Sequence, residues 1–167
     1  MERSQWGYFS MTNDNTKIMA VLEQAKCLAQ QYRALTGKPL GITGEVAEFE
    51  AARLLGLELT PARTAGYDAI EPKSKRTLSI KGRCMLSGCK LGQRIGKIDV
   101  NKQFDAVLLV LMDEAFNSLS IWEAERHAVV AALAAPGSKA RNERGALGVS
   151  KFKSIGRCVW SKALATC

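Results

Sequence analysis

Apolar and polar residues follow helical and strand periods in turn along this chain, and the order of these periods predicts an α/β protein. Apolar side chains recur every three or four positions through residues 16–35 and again through 43–55, which indicates two helices, the second ending at Gly56. Residues 77–83 alternate strictly, as a half-buried strand does. The uninterrupted apolar run 106–112 predicts a strand covered on both faces at the centre of its sheet.

Shorter patterns connect these elements. A turn signal at residues 71–74 joins the short run 67–70 to the alternating strand and predicts a hairpin. Residues 117–123 alternate again, and residues 123–135 predict a further helix that ends at Pro136. Together the elements predict a mixed central sheet flanked by helices.

The two ends of the chain differ from this core. Residues 1–15 have no apolar period and predict a flexible N-terminal segment. Residues 16–167 predict a single domain, because a chain of 167 residues can bury one compact core and no internal repeat is present. Residues 138–167 form its basic tail, which we predict to be irregular apart from a short turn at 151–155, capped by Ser150, and an edge strand at 158–160.

Charge is distributed unevenly along the chain, whose formal net charge is +8. Residues 73–102 hold nine Lys or Arg against one acid, and residues 139–162 hold seven against one. A polyanion, most simply nucleic acid, is the partner that such a balance predicts, although a basic protein with solvated lysines remains the alternative. The candidate contacts lie in the hairpin and in the glycine-spaced loop 85–101: Lys73, Lys75, Arg76, Arg83, Lys90, Arg94 and Lys97.

Composition also bears on the compartment. No apolar run approaches the roughly 18 residues of a membrane span, and residues 1–6 lack the apolar core of a signal peptide. We therefore expect a cytoplasmic protein that does not enter a membrane. Five cysteines at scattered spacings are then expected to be free thiols.

Four side chains in the predicted elements are candidates for chemistry. The hairpin can bring the carboxylate of Asp68 beside the ammonium of Lys81 on one face, and Glu45 and Glu48 lie one turn apart on the second helix. A carboxylate can hold a divalent cation, and a nearby lysine can stabilise an anion or position a water. The alternatives are a turn aspartate, a surface lysine, and a first-turn glutamate favoured by the helix dipole.

Three short segments occur in an order that carries more information than each does alone. They are residues 44–48 (GEVAE) followed by 51–55 (AARLL), residues 66–68 (GYD), and residues 78–83 (LSIKGR). In this order they resemble the core of the PD-(D/E)xK nuclease superfamily, which includes restriction endonuclease-like and Holliday-junction-resolvase-like folds. The resemblance covers roughly residues 42–125 and implies a restriction endonuclease-like core.

The resemblance also implies a site. Asp68 and Glu48 would hold Mg²⁺ or Mn²⁺, with the carbonyl of Ile80 as a further ligand, and Lys81 would orient the attacking water or stabilise the pentavalent anion. Ser79 occupies the position where the motif has an acid, so one anionic metal ligand is missing.

The remaining charge in such a site would have to come from Glu48 or from Glu45. The implied activity is hydrolysis of phosphodiester bonds in nucleic acid, DNA rather than RNA, by a chain that can form a homodimer. The alternative is a nuclease-fold protein that binds nucleic acid without metal chemistry, and Ser79 is the feature that favours it.

Overall fold

A mixed sheet forms the centre of the protein. The computed structural model describes residues 13–61, 66–86 and 92–163, and within them six strands lie side by side in chain order. The β3–β4 pair is parallel, and the other neighbouring pairs are antiparallel. The strands are β1 (Glu58–Leu59), β2 (Ala69–Ile70), β3 (Thr77–Cys84), β4 (Ala106–Met112), β5 (Ser118–Glu125) and β6 (Arg157–Ser161).

Helices flank this sheet, which confirms the prediction of an α/β fold with a mixed central sheet. In the described residues the helices are α1 (Asn13–Thr36), α2 (Thr43–Leu55), α3 (Arg126–Ala134), α4 (Lys139–Asn142) and α5 (Val149–Ile155). The bounds of α2 are those predicted, and Gly56 ends it in a left-handed conformation with φ +67°. None of these helices is long and apolar enough to cross a membrane.

The sheet separates two hydrophobic cores. On one face, Val46, Ala47 and Ala51 of α2 pack against Leu78 and Ile80 of β3. On the other face, residues of α3 and α5 pack against alternate residues of β4. Every residue of β4 is buried, which confirms the prediction of a central strand.

Two helices begin three residues away from their predicted starts. α1 begins at Asn13, so residues 13–15 are helical and the rest of the predicted flexible segment lies outside the described residues. α3 begins at Arg126 because β5 continues to Glu125, which pairs with Ala106. An apolar period alone does not show where a strand that leads directly into a helix stops pairing.

The prediction of an irregular tail is wrong for its described part, although the edge strand is confirmed as β6. The turn predicted at 151–155 lies within α5, whose N-cap is Gly148 and not Ser150. α4 and α5 form there, and Leu147 and Phe152 are fully buried in the second core. These helices have four and seven residues, too few for an apolar period to be visible in the sequence.

Candidate functional site

Asp68 occupies the edge of β3 where the pairing with β2 ends. β2 pairs only with Thr77 and Leu78 of β3 in the described residues, so the next amide along the strand edge needs another acceptor. The carboxylate of Asp68 supplies it: Oδ2 accepts hydrogen bonds from the backbone N–H of Ile80 at 2.6 Å and from Oγ of Ser79 at 3.2 Å. These bonds fix the Asp68 carboxylate beside Ser79 and Ile80, the two residues that precede Lys81 on β3.

A cavity of about 100 Å³ opens beside this carboxylate. Asp68, Ser79 and Lys81 line it together, as the predicted hairpin face requires. Lys97 and Gly66 also line it, and so do three residues that the sequence analysis does not single out: Asp99, Lys102 and Phe104. Three lysines therefore surround two aspartates in a cavity of the size of a small polar group, which suits an anion held beside a cation site.

Gly66 and Gly82 allow the close approaches that shape this site. A Cβ on Gly66, whose φ is +110°, would lie 2.7 Å from the backbone oxygen of Gln103. A Cβ on Gly82 would lie 2.6 Å from Cβ of Ala47 and from the backbone oxygen of Thr43. Glycine at position 82 therefore lets α2 lie directly on β3, and this contact carries Glu48 to the site.

Glu48 is half-buried on α2, and its electrostatic neighbours are the other candidate residues. Burial raises the pKa of the Glu48 carboxyl, the negative charges of Asp68 and Glu45 raise it further, and the positive charge of Lys81 partly opposes them. The structure thus brings Glu48, Asp68 and Lys81 within mutual electrostatic reach. Glu45 is exposed one turn away and contributes from the periphery.

This site has few side chains that could serve as metal ligands. In the described part of the chain, no group of three or more His, Cys, Asp or Glu side chains is arranged to hold a metal ion. Asp68 and Glu48 supply two carboxylates, and Mg²⁺ is commonly bound through one or two protein carboxylates and otherwise by water and substrate phosphate. Ile80 commits its amide to Asp68 and its side chain to the first core.

Glu50, a buried acid on the same helix, serves the fold instead. It forms ion pairs with Arg53 at 2.8 Å and Lys26 at 3.5 Å, and it accepts a hydrogen bond from Ser118 at 3.0 Å. Burial alone would raise the pKa of this carboxyl, but the hydrogen bonds and charges of these partners lower it overall. It joins α1, α2 and β5.

The predicted nucleic-acid contacts occupy different surroundings. Lys73 and Lys75 are exposed in the hairpin turn, and Arg83 is exposed farther along β3, about 20 Å from the turn at the usual strand rise. Lys97 is exposed at the cavity, whereas Lys90 lies outside the described residues.

Three of the predicted contacts are already bound to other groups of the protein. Arg83 donates a hydrogen bond from Nε to Oε1 of Gln93 at 3.2 Å. Arg76 forms ion pairs with Glu123 at 3.1 Å and Glu125 at 2.6 Å, so carboxylates compensate its charge. Arg94 donates hydrogen bonds to the oxygen of Ala146 and to Oγ of Ser138. These arginines therefore have less to offer a phosphate than the exposed lysines do.

Comparisons with known proteins add no relative to this picture. Models of known protein families give no match to the chain, and a search of curated proteins finds no match either.

Proposed function

We propose that this protein is a metal-dependent nuclease with a restriction endonuclease-like core, which hydrolyses phosphodiester bonds in DNA. The order of α2, the β2–β3 hairpin, the parallel strand β4 and β5 supports this assignment, because it follows the order of elements that the resemblance implies. The basic balance of the chain supports a nucleic-acid substrate.

A single observation carries most of the weight. The edge of β3 brings together a carboxylate fastened to the strand (Asp68), a second carboxylate from the adjacent helix (Glu48) and a lysine (Lys81). Burial and the charge of Asp68 raise the pKa of Glu48, so a cation beside the two carboxylates would stabilise its ionised form. Lys81 lines the cavity beside Asp68, where it would meet an anion.

Each residue has a role in this proposal. Asp68 and Glu48 would hold Mg²⁺ or Mn²⁺, with Glu45 adding negative charge and the carbonyl of Ile80 a further ligand. When bound, the metal supplies Lewis-acid polarisation of the phosphate and a water of lowered pKa. Lys81 contacts the phosphoryl oxygens or orients the water.

Two further lysines extend the cavity towards the rest of the substrate. Lys97 and Lys102 line the same cavity as Asp68 and would neutralise neighbouring phosphates of the strand.

Cleavage assays with matched variants test this proposal. Linear, nicked and branched DNA, and RNA, are incubated with Mg²⁺ and then with Mn²⁺. We expect Asp68→Asn to abolish cleavage while leaving DNA binding intact or tighter, since it removes a negative charge near phosphate. Lys81→Ala should lower turnover by about 10²-fold or more, because it acts on the reacting groups. Asp14→Asn, an exposed change on α1, is the control.

Ser79 supports a second candidate function, a nuclease-fold module that binds nucleic acid without cleaving it. Ser79 is buried, and its hydroxyl donates a hydrogen bond to Asp68. Because the motif has an acid at this position, the site has one anionic ligand fewer. A wild-type protein that binds DNA but is inert on every substrate with both metals would favour this function. Cleavage that persists in Asp68→Asn would contradict the site, and no DNA binding at low salt would contradict both candidates.

A further inference from the structure

The N-terminal helix α1 carries an apolar face that nothing in the described part of the chain covers. Five of the nine large apolar side chains exposed in the described residues belong to this one helix. They are Ile18 (44% exposed), Val21 (63%), Leu28 (58%), Tyr32 (41%) and Leu35 (87%). The apolar repeat that predicts the helix is therefore wider than the strip that the sheet buries.

A different strip of α1 attaches the helix to the protein. Leu22 packs against the first core, Ala29 is buried there, and Lys26 is buried in its ion pair with Glu50. This strip attaches α1 to the domain, and the more exposed apolar face lies beside it.

The exposed face has the spacing of a coiled-coil seam. With the half-buried Ala25 included, its members recur at intervals of three, four, three, four and three residues. Ile18, Ala25 and Tyr32 take the a positions of a heptad repeat, and Val21, Leu28 and Leu35 take the d positions. Such a seam packs knobs-into-holes against another long helix, rather than against a sheet or a loop.

No other described helix of the same chain is available to cover this face. The seam covers 18 positions, a length of about 27 Å at the usual helical rise. Among the described helices only α2, with 13 residues, approaches this length, and its buried residues face β3. α3 has nine residues and is committed to the second core.

The residues beside the seam are compatible with pairing to a second copy of the same chain. Coiled coils that select a different partner do so with charged e and g positions. Here the g positions are Lys17, Gln24 and Gln31, and the e positions include Leu22 and Ala29. Lys17, at the N-terminal end, is the one charge among these named positions. Two copies of the face can therefore pack together across a two-fold axis without rows of like charges facing each other.

We propose that this face of α1 pairs with the same face of a second copy, forming a two-helix homodimer interface. A strip about 27 Å long and about 10 Å wide has a footprint of about 270 Å² per copy. This is well below the roughly 800 Å² per partner of a stable complex, so the dimer is weak, reversible and dependent on concentration. The proposal does not depend on the nuclease assignment.

Sedimentation equilibrium of the full chain over a wide concentration range tests this interface. The wild type should shift from 18.2 kDa towards twice that mass as its concentration rises. Leu28→Lys should weaken association by about tenfold or more, because it places a charge on each copy at the middle of the seam. Gln30→Lys, which adds the same charge on an exposed position outside the seam, should associate like the wild type.

Circular dichroism of each variant verifies the fold, and Leu35→Lys, at the most exposed seam position, is a second disrupting variant. A wild type that stays at 18.2 kDa at every concentration would overturn the proposal, and it would point to residues 1–12 as the cover of this face. A dimer equally strong in Leu28→Lys, Leu35→Lys and Gln30→Lys would also overturn it, since the copies would then meet through another surface.

Discussion

Ser79 is the residue at which the site departs most from the motif that it resembles. Its side chain is buried and donates a hydrogen bond to Asp68, so a carboxylate at this position would face another carboxylate in a confined space. We expect Ser79→Glu to destabilise the metal-free protein by about 1–3 kcal/mol, because it buries an uncompensated charge.

Saturating Mg²⁺ should recover much of this loss in Ser79→Glu, since a bound cation compensates the added charge. Ser79→Ala is the control, because it removes the hydrogen bond without adding charge and costs about 1 kcal/mol. Thermal unfolding with and without Mg²⁺ gives the comparison. An equal response to Mg²⁺ in the two variants would show that position 79 does not face a metal site.

Glu48 and Glu45 provide a second test at the scale of single residues. Burial and the charges of Asp68 and Glu45 raise the pKa of Glu48 in the folded protein. The free energy of unfolding therefore falls as the pH rises from the unfolded-state pKa of this carboxyl through its folded-state pKa. Glu48→Gln should therefore raise the melting temperature of the metal-free protein at neutral pH.

The same change should weaken Mg²⁺ binding by about tenfold or more, since even groups that merely support a metal ligand contribute this much. Glu45→Gln, on an exposed position of the same helix, should have a smaller effect on both quantities. Calorimetric titration with Mg²⁺ gives the ranking, and the reverse order would assign the metal ligand to Glu45.

At the scale of elements, Asp105 holds the start of β3 beside the start of β4. Its Oδ2 accepts hydrogen bonds from the backbone N–H and from Oγ1 of Thr77, both at 2.8 Å. The backbone bond and then the hydroxyl bond lower the pKa of this carboxyl. Its contribution to stability is therefore present above an unfolded-state pKa of about 4 and is lost as the pH falls through the folded-state pKa.

We expect Asp105→Asn to cost about 1 kcal/mol of unfolding free energy at pH 7, a modest value because the carboxylate is solvent-exposed. The difference from wild type should shrink at pH 3, below the unfolded-state pKa of about 4, because protonation then favours the unfolded chain. Urea unfolding at both pH values measures it, with Asp14→Asn as an exposed control. A difference that does not change with pH would mean that the ionised form of Asp105 is not what stabilises the strand pair.

At the scale of the whole molecule, two groups of lysines offer alternative surfaces to the proposed DNA substrate. Lys97 and Lys102 line the cavity beside Asp68, whereas Lys73 and Lys75 lie in the hairpin turn. If DNA crosses the cavity, Lys97→Ala with Lys102→Ala should flatten the slope of log affinity against log salt by about 0.9 per lost phosphate contact.

The pair Lys73→Ala and Lys75→Ala removes the same charge elsewhere and should flatten the slope less. Gel-shift titrations over a series of salt concentrations compare the two double variants. If the hairpin pair has the larger effect, the DNA path follows the turn and not the cavity.

Much of the local structure follows from the sequence alone. The period of residues 43–55 and the left-handed Gly56 define α2, the apolar run 106–112 defines the buried strand β4, and residues 158–160 lie within the edge strand β6. These elements are predictable because a helix or strand is selected by side chains that are neighbours along the chain. Asp68 and Lys81 could be chosen as site candidates for the same reason, since one hairpin holds both.

Contacts between distant segments could be decided only by the tertiary structure. The sequence does not show that Lys102 and Asp99 reach the cavity, that Arg76 is held by Glu123, or that Glu50 serves the fold. Each depends on how elements far apart in the chain pack together, and a local period carries no information about that packing.

The apolar repeat of α1 marks the limit of sequence reasoning most clearly. The repeat alone predicts a helix with one apolar stripe. The tertiary structure divides that stripe into a strip that packs on the domain through Ala29 and a heptad face that stays exposed through Leu28. The physical reason is that periodicity determines which residues share a face of a helix, whereas the rest of the fold determines which of its faces is covered.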